Sequence, residues 1–348
     1  MTIGIAILGA GIFAREEHYP AIEACEFFSL KAVYSRSQKS ASTLASSAKA
    51  KVDVYSDDSS ADKTLDALLS RSDIHAVTVA VPIPSQPSVI KKAIAAGKHV
   101  LSEKPIAKDL ATARELIEWY KDIKAPRPIW GVAENFRFLE SVTYATEQIR
   151  AIGGEIVTFS FSLYALVKDD DKYFNTDWRK IPDYQGGFLL DGGVHFVAGI
   201  RSFLAAAGQE VKQLSARTSL IQEKLPPVDT VHGLLTTGSG RSGTFCVSFG
   251  TEFKSDFCIE LVTTKGAVRL TPVEVTTTKQ GTDGEKAEEK KIFEFSVGVK
   301  PEIVAFAKSI QKGEVDPRQT PEQGYKDLEI LQGLLESGEC SGAIKTFN

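Results

Sequence analysis

The first fourteen residues constrain the fold of this 348-residue chain more than any other segment. They read MTIGIAILGAGIFA, in which an apolar run over 3–8 is followed at once by a G-x-G-x-x-A motif over 9–14. In this dinucleotide fingerprint the first glycine permits a tight turn and the second leaves room for a pyrophosphate. The following helix N-terminus offers free N–H groups to that anion. The segment therefore predicts a Rossmann domain whose cofactor contacts include Gly9, Gly11, Ile12 and Phe13.

The end of the next predicted strand, SLKAVYSRS, indicates which nicotinamide cofactor fits. A site for NAD usually has an Asp or Glu here, about 20 residues past the motif, which accepts hydrogen bonds from the ribose hydroxyls. This chain has Ser35 and Arg36 instead, and these suit a 2′-phosphate that a carboxylate would repel. We therefore expect NADP as the cofactor. Lys39 is a further candidate contact, with a solvated surface lysine as the alternative.

Strand-like and helix-like segments alternate through the first 130 residues. DIHAVTVAVP, KHVLSEKP and RPIWGVAENFRF are typical of buried strands, and SQPSVIKKAIAAG and ATARELIEWYKDI are typical of helices. Strict alternation predicts a doubly wound parallel sheet, which binds ligands at the carboxyl ends of its strands. We assign residues 1–130 to an NADP-binding Rossmann domain, with further cofactor contacts at Pro82, Gln86, Glu103, Lys104 and Asn135.

Lys104 is the candidate for chemistry in this domain, because it follows an apolar strand and precedes a proline. Its ammonium should emerge at the ligand cleft, and the proline favours an extended backbone before it. A lysine in such a place can donate to a substrate oxygen, or transfer a proton if its pKa is lowered. The alternative is an exposed charge pair of Glu103 and Lys104 at the strand end.

A second candidate site lies in GGFLLDGGVH, where Asp191 and His195 are four positions apart. On a helix this spacing places both side chains on one face, so that both could act on one bound molecule. The neighbouring glycines would let a backbone or a ligand come close. The alternative is that Asp191 caps the helix and His195 is a hydrogen-bonded core histidine.

Beyond residue 131 the pattern changes to segments in which apolar and polar residues alternate. Phe159, Phe161 and Leu163 alternate with polar residues in this way, which is typical of a half-buried strand. We expect residues 131–348 to form a substrate-binding and oligomerisation α+β domain with a large, open, mainly antiparallel sheet. Its uncovered face predicts a homodimer. The charged segment KQGTDGEKAEEKK is expected to be a solvated hairpin tip.

The polar and aromatic segment KDDDKYFNTDWRKIPDYQ leads directly into the Asp191 helix. We expect it to recognise the substrate, with Tyr173 able to hydrogen-bond a polyhydroxylated ligand. The alternative is a surface loop anchored by a buried Trp178.

Composition limits the possible partners and cofactors. The net charge of −4 gives no overall attraction to nucleic acid or to anionic membranes, and we expect neither as a partner. The four cysteines form no CxxC pair and no two of the five histidines have metal-ligand spacing, so we expect no metal. We also expect no leader, no apolar stretch of about 18 residues and a cytoplasmic location.

The fingerprint, the Glu-Lys-Pro tripeptide and the Asp-x-x-x-His helix stand in this order along one chain. With AIAAGKHVLSEKPIAKDLATARELI, AENFRF and DWRKIPDYQGGFLLDGGVH, they resemble the Gfo/Idh/MocA family of nicotinamide-dependent oxidoreductases, and within it a fungal NADP-specific branch. The resemblance covers essentially the whole chain. It implies that Lys104 lies beside the nicotinamide ribose and the substrate hydroxyl, that Asp191 orients the substrate or the histidine, and that His195 is the general acid/base. It also implies a cofactor contact at Trp178 and Arg179.

Two departures from the family pattern bear on the substrate class rather than on the reaction type. Many relatives have a histidine where this chain has Gln86, and a further Asp often follows the catalytic histidine where this chain has FVAG. We predict hydride transfer between NADP(H) and a carbinol or carbonyl carbon of a sugar, polyol, dihydrodiol or aldehyde. The alternatives are a non-catalytic NADP-binding regulatory protein of the same fold, and a glycosidase that uses a bound nicotinamide for transient oxidation.

Overall fold

The computed structural model describes residues 2–282 and 284–347, and the chain divides into two compact units. The first unit contains Met1–Glu134 and Val299–Lys326, and the second contains Asn135–Gly298 and Asp327–Asn348. The sequence placed one boundary between residues 130 and 131. In the structure the chain also returns to the first unit over Val299–Lys326. A single boundary therefore does not describe the two units.

The first unit contains a six-stranded parallel sheet in the order β3-β2-β1-β4-β5-β6. This is the doubly wound order, and its switch point lies between β1 and β4. The middle strands are continuous apolar runs because helices cover both faces of such a sheet. The sequence reading missed β3, which is four residues long and only half buried. The strands are β1 Ile3–Leu8, β2 Phe28–Ser35, β3 Asp53–Ser56, β4 Ala76–Val79, β5 His99–Glu103 and β6 Trp130–Ala133.

The second unit contains a nine-stranded sheet in the order β14-β13-β12-β11-β7-β10-β9-β8-β15. Among the described strand pairs of this second sheet only β7–β10 is parallel, so the expected mainly antiparallel sheet is confirmed. The strands are β7 Ile156–Tyr164, β8 Val211–Ser219, β9 Thr230–Thr237, β10 Ser242–Ser248, β11 Asp256–Thr263, β12 Gly266–Leu270, β13 Glu274–Gln280, β14 Lys286–Ile292 and β15 Lys345–Thr346.

The charged segment expected to be a hairpin tip is mostly strand. Its second half forms β14, an exposed edge strand that pairs with β13, and Asp283 lies outside the described residues. Lysines and glutamates on an edge strand discourage pairing with other chains, so a charged composition also suits this position. The sequence reading was therefore right about exposure and wrong about the extent of the turn.

The described residues form ten α-helices, with a π-helical turn at Ala14–His18 between the fingerprint and α1. In α5 the apolar face predicted from ATARELIEWYKDI is buried. The helices are α1 Tyr19–Ala24, α2 Gln38–Ala45, α3 Leu65–Leu69, α4 Gln86–Ala95, α5 Leu110–Lys121, α6 Glu140–Ile152, α7 Asp177–Lys180, α8 Gly187–Ala206, α9 Val299–Lys312 and α10 Pro321–Glu339.

Helix α8 is the central helix of the second unit and carries Asp191 and His195. It packs on the sheet, where a Cβ atom at Gly199 would lie 2.9 Å from Ile259 Cδ1. By length and composition α8 could cross a membrane, so the expectation of no such apolar stretch was wrong. Since 67% of its most apolar window is buried within the structure, its apolarity suits the core of the unit.

Candidate active site

The fingerprint lies at the switch point of the parallel sheet, beside the end of β4. Gly9 has a φ of +109°, and a Cβ atom there would lie 2.2 Å from the Ala80 carbonyl oxygen, so only glycine fits. A Cβ atom at Gly11 would meet nothing within 4 Å, which leaves open space in front of the helix that starts at Ile12. Phe13 lies in the first turn of that helix and is partly exposed. The turn therefore fits a dinucleotide pyrophosphate.

The end of β2, where the sequence predicted a 2′-phosphate site, combines positive and negative charges. Arg36 and Lys39 are exposed, and Ser35 is partly exposed at the strand end. The sequence reading missed Asp58, which follows β3. Its carboxylate accepts hydrogen bonds from Ser56 Oγ and from the Gln38 backbone N–H, both at 2.7 Å, and these bonds lower the pKa of Asp58. A carboxylate is thus present near the end of β2 after all, contributed by the turn that follows β3.

Lys104 follows β5 and is partly exposed, and the two residues before it are held by side-chain hydrogen bonds. Trp130 Nε1 donates to Ser102 Oγ at 3.0 Å, and His18 Nε2 lies 2.6 Å from Glu103 Oε1. His18 was not predicted as a site residue. No local pattern marks it, because its partner is 85 positions away.

Pro82 and Gln86 lie in the segment after β4 that leads into α4. Pro82 is partly exposed, and the Gln86 side chain is buried with 1% exposure. Gln86 Oε1 has no hydrogen-bond partner among the described residues. A buried amide oxygen without a partner is costly, so this group suits a contact with a bound molecule or an ordered water.

In the second unit, Asp191 is paired with Arg179 from the preceding loop. Arg179 Nε donates to Asp191 Oδ2 at 2.7 Å, and the two side chains are 15% and 11% exposed. The guanidinium carbon lies 3.9 Å from the centre of the Trp178 ring and 5.6 Å from that of Tyr173. The structure therefore brings four predicted site residues into one cluster. The helix cap is Gly186, so the reading of Asp191 as a cap is wrong.

His195 lies one turn after Asp191 and is partly exposed. Its ring stacks on Phe136, with ring centres 5.0 Å apart and an angle of 18° between the planes. Phe136 belongs to the AENFRF motif, but its contact with the histidine could not be read from the sequence. Its neighbour Asn135, predicted as a cofactor contact, is buried and donates from Nδ2 to the Val297 carbonyl at 2.6 Å.

The Asp191 cluster also contains Tyr184, which the sequence reading did not select. Its side chain is buried, and its ring centre lies 6.0 Å from that of Trp178. Burial, and after it the Asp191 carboxylate, raises the pKa of the Tyr184 phenol, which remains a hydrogen-bond donor at neutral pH. The space beside Gly187, near the start of α8, is filled by other parts of the protein, since a Cβ atom there would lie 2.3 Å from the Pro226 carbonyl oxygen.

Within residues 2–282 and 284–347, no group of three or more His, Cys, Asp or Glu side chains is arranged to hold a metal ion. The groups of the two units that bear on chemistry are the dinucleotide turn, the lysine after β5, and the carboxylate and imidazole on α8.

A doubly wound sheet with a dinucleotide turn at its switch point, joined in sequence to a large antiparallel sheet, defines a class of nicotinamide-dependent oxidoreductases. Two family models match the chain: "Oxidoreductase family, NAD-binding Rossmann fold" over residues 3–125, and "Oxidoreductase family, C-terminal alpha/beta domain" over residues 148–345. The chain belongs to the Gfo/Idh/MocA family.

The chain is also similar to individual members of this family. It is 50% identical to Dehydrogenase FPY6 of Fusarium mangiferae, over 99% of this chain and 98% of the relative. An oxidoreductase structure from Thermotoga maritima superposes with a TM-score of 0.86 at 26% identity, over 99% of this chain and 98% of that one. The 3-ketoreductase KijD10 of Actinomadura kijaniata, solved with NADP and TDP-benzene, shares the fold with a TM-score of 0.76 at 22% identity, over 97% and 98% of the two chains.

Proposed function

We propose that this chain is an NADP(H)-dependent oxidoreductase that transfers a hydride between the nicotinamide and a carbinol or carbonyl carbon of a small substrate. The observation that carries the proposal is the His195 imidazole. It is partly exposed, its plane is fixed by stacking on Phe136, and it lies one helical turn after a carboxylate held by Arg179. An imidazole with a fixed orientation and access to a ligand suits proton transfer.

A bound nicotinamide would supply the hydride donor or acceptor. His195 would take the proton from the substrate hydroxyl during oxidation and return it to the carbonyl oxygen during reduction. Lys104 would donate a hydrogen bond to the same oxygen and stabilise its developing negative charge. Asp191 would act through its ion pair, since it holds the Arg179 guanidinium beside the aromatic rings of the substrate loop.

The preference for NADP rests on Arg36 and Lys39, which are exposed where the adenosine ribose of a dinucleotide would lie. Arg36 can donate paired hydrogen bonds to a phosphate. Asp58 opposes this attraction through the negative charge of its carboxylate, which the hydrogen bond from the Gln38 N–H holds beside the start of α2. We therefore propose a preference for NADP that is moderate rather than absolute.

The proposed substrates are sugars, polyols, dihydrodiols and aldehydes. A polar substrate is favoured by the donors of the second unit, which are the Arg179 guanidinium, the Tyr184 phenol and Tyr173. The position of Tyr173 agrees with a role in recognition, since its ring lies beside the Arg179 guanidinium. A ligand with several hydroxyl groups could accept hydrogen bonds from this set.

The test is a screen of NADPH oxidation and NADP reduction against these four substrate classes, followed by variants of His195. Loss of a general acid/base costs about 10²- to 10⁴-fold, so His195→Ala should lower kcat by that factor while the Kd for NADPH, measured by fluorescence, stays unchanged. His75→Asn is the matched control, because His75 is exposed just before β4, and the asparagine oxygen can still accept the Gly4 N–H. Full turnover by His195→Ala would refute the assignment. NADPH binding without turnover on any substrate would favour the regulatory alternative.

We also propose a cytoplasmic homodimer that uses the open face of the nine-stranded sheet. Leu234 on β9 is 51% exposed, and the four cysteines are free thiols, as in a reducing compartment. Light scattering should report a dimer for the native chain and a monomer for Leu234→Glu, since a buried interfacial carboxylate is costly. A monomeric native chain would contradict the proposal.

A further inference from the structure

His18 is a fully buried histidine that the proposed reaction does not use. It is the last residue of the π-helical turn Ala14–His18, which begins at the last residue of the fingerprint, and its relative exposure is 0%. Its Nε2 lies 2.6 Å from Glu103 Oε1, and the Glu103 side chain is 12% exposed. The Phe13 ring contacts the imidazole edge-on, with ring centres 5.5 Å apart. His18 therefore joins the dinucleotide turn to the end of β5.

The hydrogen-bonding pattern indicates that the His18 imidazole is the donor and the Glu103 carboxylate is the acceptor. Nδ1 of His18 is buried and has no hydrogen-bond partner among the described residues. Nε2 has to carry a proton to donate to the Glu103 carboxylate, and a second proton on Nδ1 would add a positive charge whose buried N–H has no acceptor. The favoured arrangement is a proton on Nε2 that is donated to the Glu103 carboxylate. Hydrogen bonds to an ionised acceptor are short and strong, in agreement with the observed distance.

His18 is the last residue of the π turn, so the geometry of the turn sets the direction of its side chain. A π turn contains one residue more than an α turn, so it rotates the side chains that follow by roughly 100° about the helix axis. Such single turns are frequent at functional sites.

We propose that His18 is a positioning residue for Lys104, acting through the Glu103 carboxylate. Glu103 immediately precedes Lys104, and Ser102 before it accepts the Trp130 indole N–H at 3.0 Å. The two hydrogen bonds fix consecutive residues at the end of β5, and they set the direction in which the Lys104 side chain leaves the strand. The proposal rests on the proposed function, in which Lys104 stabilises the substrate oxygen.

The first test compares His18→Gln with His18→Leu. A glutamine amide nitrogen can occupy the place of Nε2 and donate to Glu103, whereas leucine fills the volume without a donor. Misplacement of a catalytic group by about 1 Å can cost 10²-fold in rate. We expect His18→Leu to lower kcat by about 10- to 100-fold, with the Kd for NADPH within about threefold of the native value. His18→Gln should keep most of the native kcat. If His18→Leu does not fold, His18→Asn replaces it, because its shorter amide does not reach Glu103.

The second test is a double-mutant cycle with Lys104→Met. If His18 acts through Lys104, His18→Leu should lower kcat in the native background and have no further effect in the Lys104→Met background. Equal effects in both backgrounds, or native kcat in His18→Leu, would overturn the inference. Native turnover by Lys104→Met alone would instead defeat the role proposed for Lys104, so the two failures are distinguishable.

A third measurement needs no turnover. In the cofactor-free protein, ¹⁵N-imidazole NMR should show His18 with a proton on Nε2 and a downfield proton shift typical of a bond to a carboxylate. Glu103→Gln should move that shift upfield. A proton found on Nδ1 instead would contradict the proposed arrangement.

Discussion

The two candidate sites are built from different parts of the polypeptide. At the fingerprint of the first unit the backbone forms the site: Gly9 adopts a positive φ against Ala80, and a helix N-terminus faces open space. On α8 of the second unit side chains form the candidate site, since Asp191 is paired with Arg179 and the His195 ring stacks on Phe136. A backbone site tolerates very few residue types. A side-chain site depends on partners that are distant in sequence.

The largest effect should come from exchanging the two glycines of the backbone site. Gly9→Ala places a Cβ atom 2.2 Å from a carbonyl oxygen at a φ of +109°, so we expect a loss of at least about 3 kcal/mol in the free energy of unfolding. Gly11→Ala meets nothing within 4 Å, so its Tm should remain native while its Kd for NADPH rises about tenfold or more. Thermal unfolding and fluorescence titration measure the two effects.

The contrast between the two variants is the informative result. A Gly11→Ala variant that unfolds like Gly9→Ala would show that both glycines serve only the turn. A Gly11→Ala variant that binds NADPH normally would contradict the prediction that the pyrophosphate lies in the space in front of Gly11.

The side-chain site should respond next most strongly, through the Arg179–Asp191 pair. Removing one member of a mostly buried pair leaves the other charge without compensation, and the small exposure of both groups moderates the cost to about 2–4 kcal/mol. We expect Arg179→Met to be destabilised by this amount, and Arg179→Met with Asp191→Asn to regain much of it. Chemical denaturation measures both free energies.

Two controls accompany the Arg179–Asp191 experiment. The exposed pair Lys212–Glu210 should contribute less than about 1 kcal/mol when Glu210→Gln removes it. The double variant should remain poor in turnover although it regains stability, since the guanidinium is absent. A double variant with native kcat would mean that the pair serves the fold alone.

The difference between the two sites also explains what could be predicted from the sequence. The fingerprint, the parallel sheet and the antiparallel sheet follow from periodicity and turn residues, and the family follows from motif order. The strand β3 was missed because four half-buried residues carry little signal. Asp191 and His195 were selected from their spacing, whereas Phe136, Tyr184 and His18 were not, because their contacts with other site residues are made only in three dimensions. The glycines near Asp191 were expected to let a ligand come close, but the space beside Gly187 is filled by the protein backbone at Pro226.

A smaller effect is expected near the end of β2, where the Arg36 guanidinium and the Asp58 carboxylate are the charges proposed to act on the cofactor ribose. Arg36→Ala should weaken NADPH binding about tenfold and leave NADH binding almost unchanged, since only NADPH carries the 2′-phosphate that the guanidinium is proposed to bind. Asp58→Asn keeps an oxygen that can accept the Gln38 N–H but removes the negative charge, and it should tighten NADPH binding by about threefold. Fluorescence titrations with both nucleotides check this. Equal losses for NADPH and NADH in Arg36→Ala would contradict a preference for NADP at the end of β2.

The smallest effect should come from His99, at the end of β5 opposite to Glu103. Burial, and then the neighbouring His75, lowers the pKa of His99 below its usual value of 6.5, so the unfolded chain binds this proton more readily than the folded one. The contribution of neutral His99 to the free energy of unfolding is therefore fully present above about pH 6.5, and it is lost as the pH falls towards the pKa of His99 in the folded chain. His99 Nδ1 accepts the Ile129 N–H at 2.8 Å, and Asn Oδ1 can accept the same bond, which makes His99→Asn a matched variant. We expect the native Tm to fall more than that of His99→Asn between pH 7.5 and pH 5.5.

Because His99 lies away from the predicted ligand end of the sheet, kcat should change little in this variant. Parallel pH dependences of the two Tm values would assign the acid sensitivity to other groups.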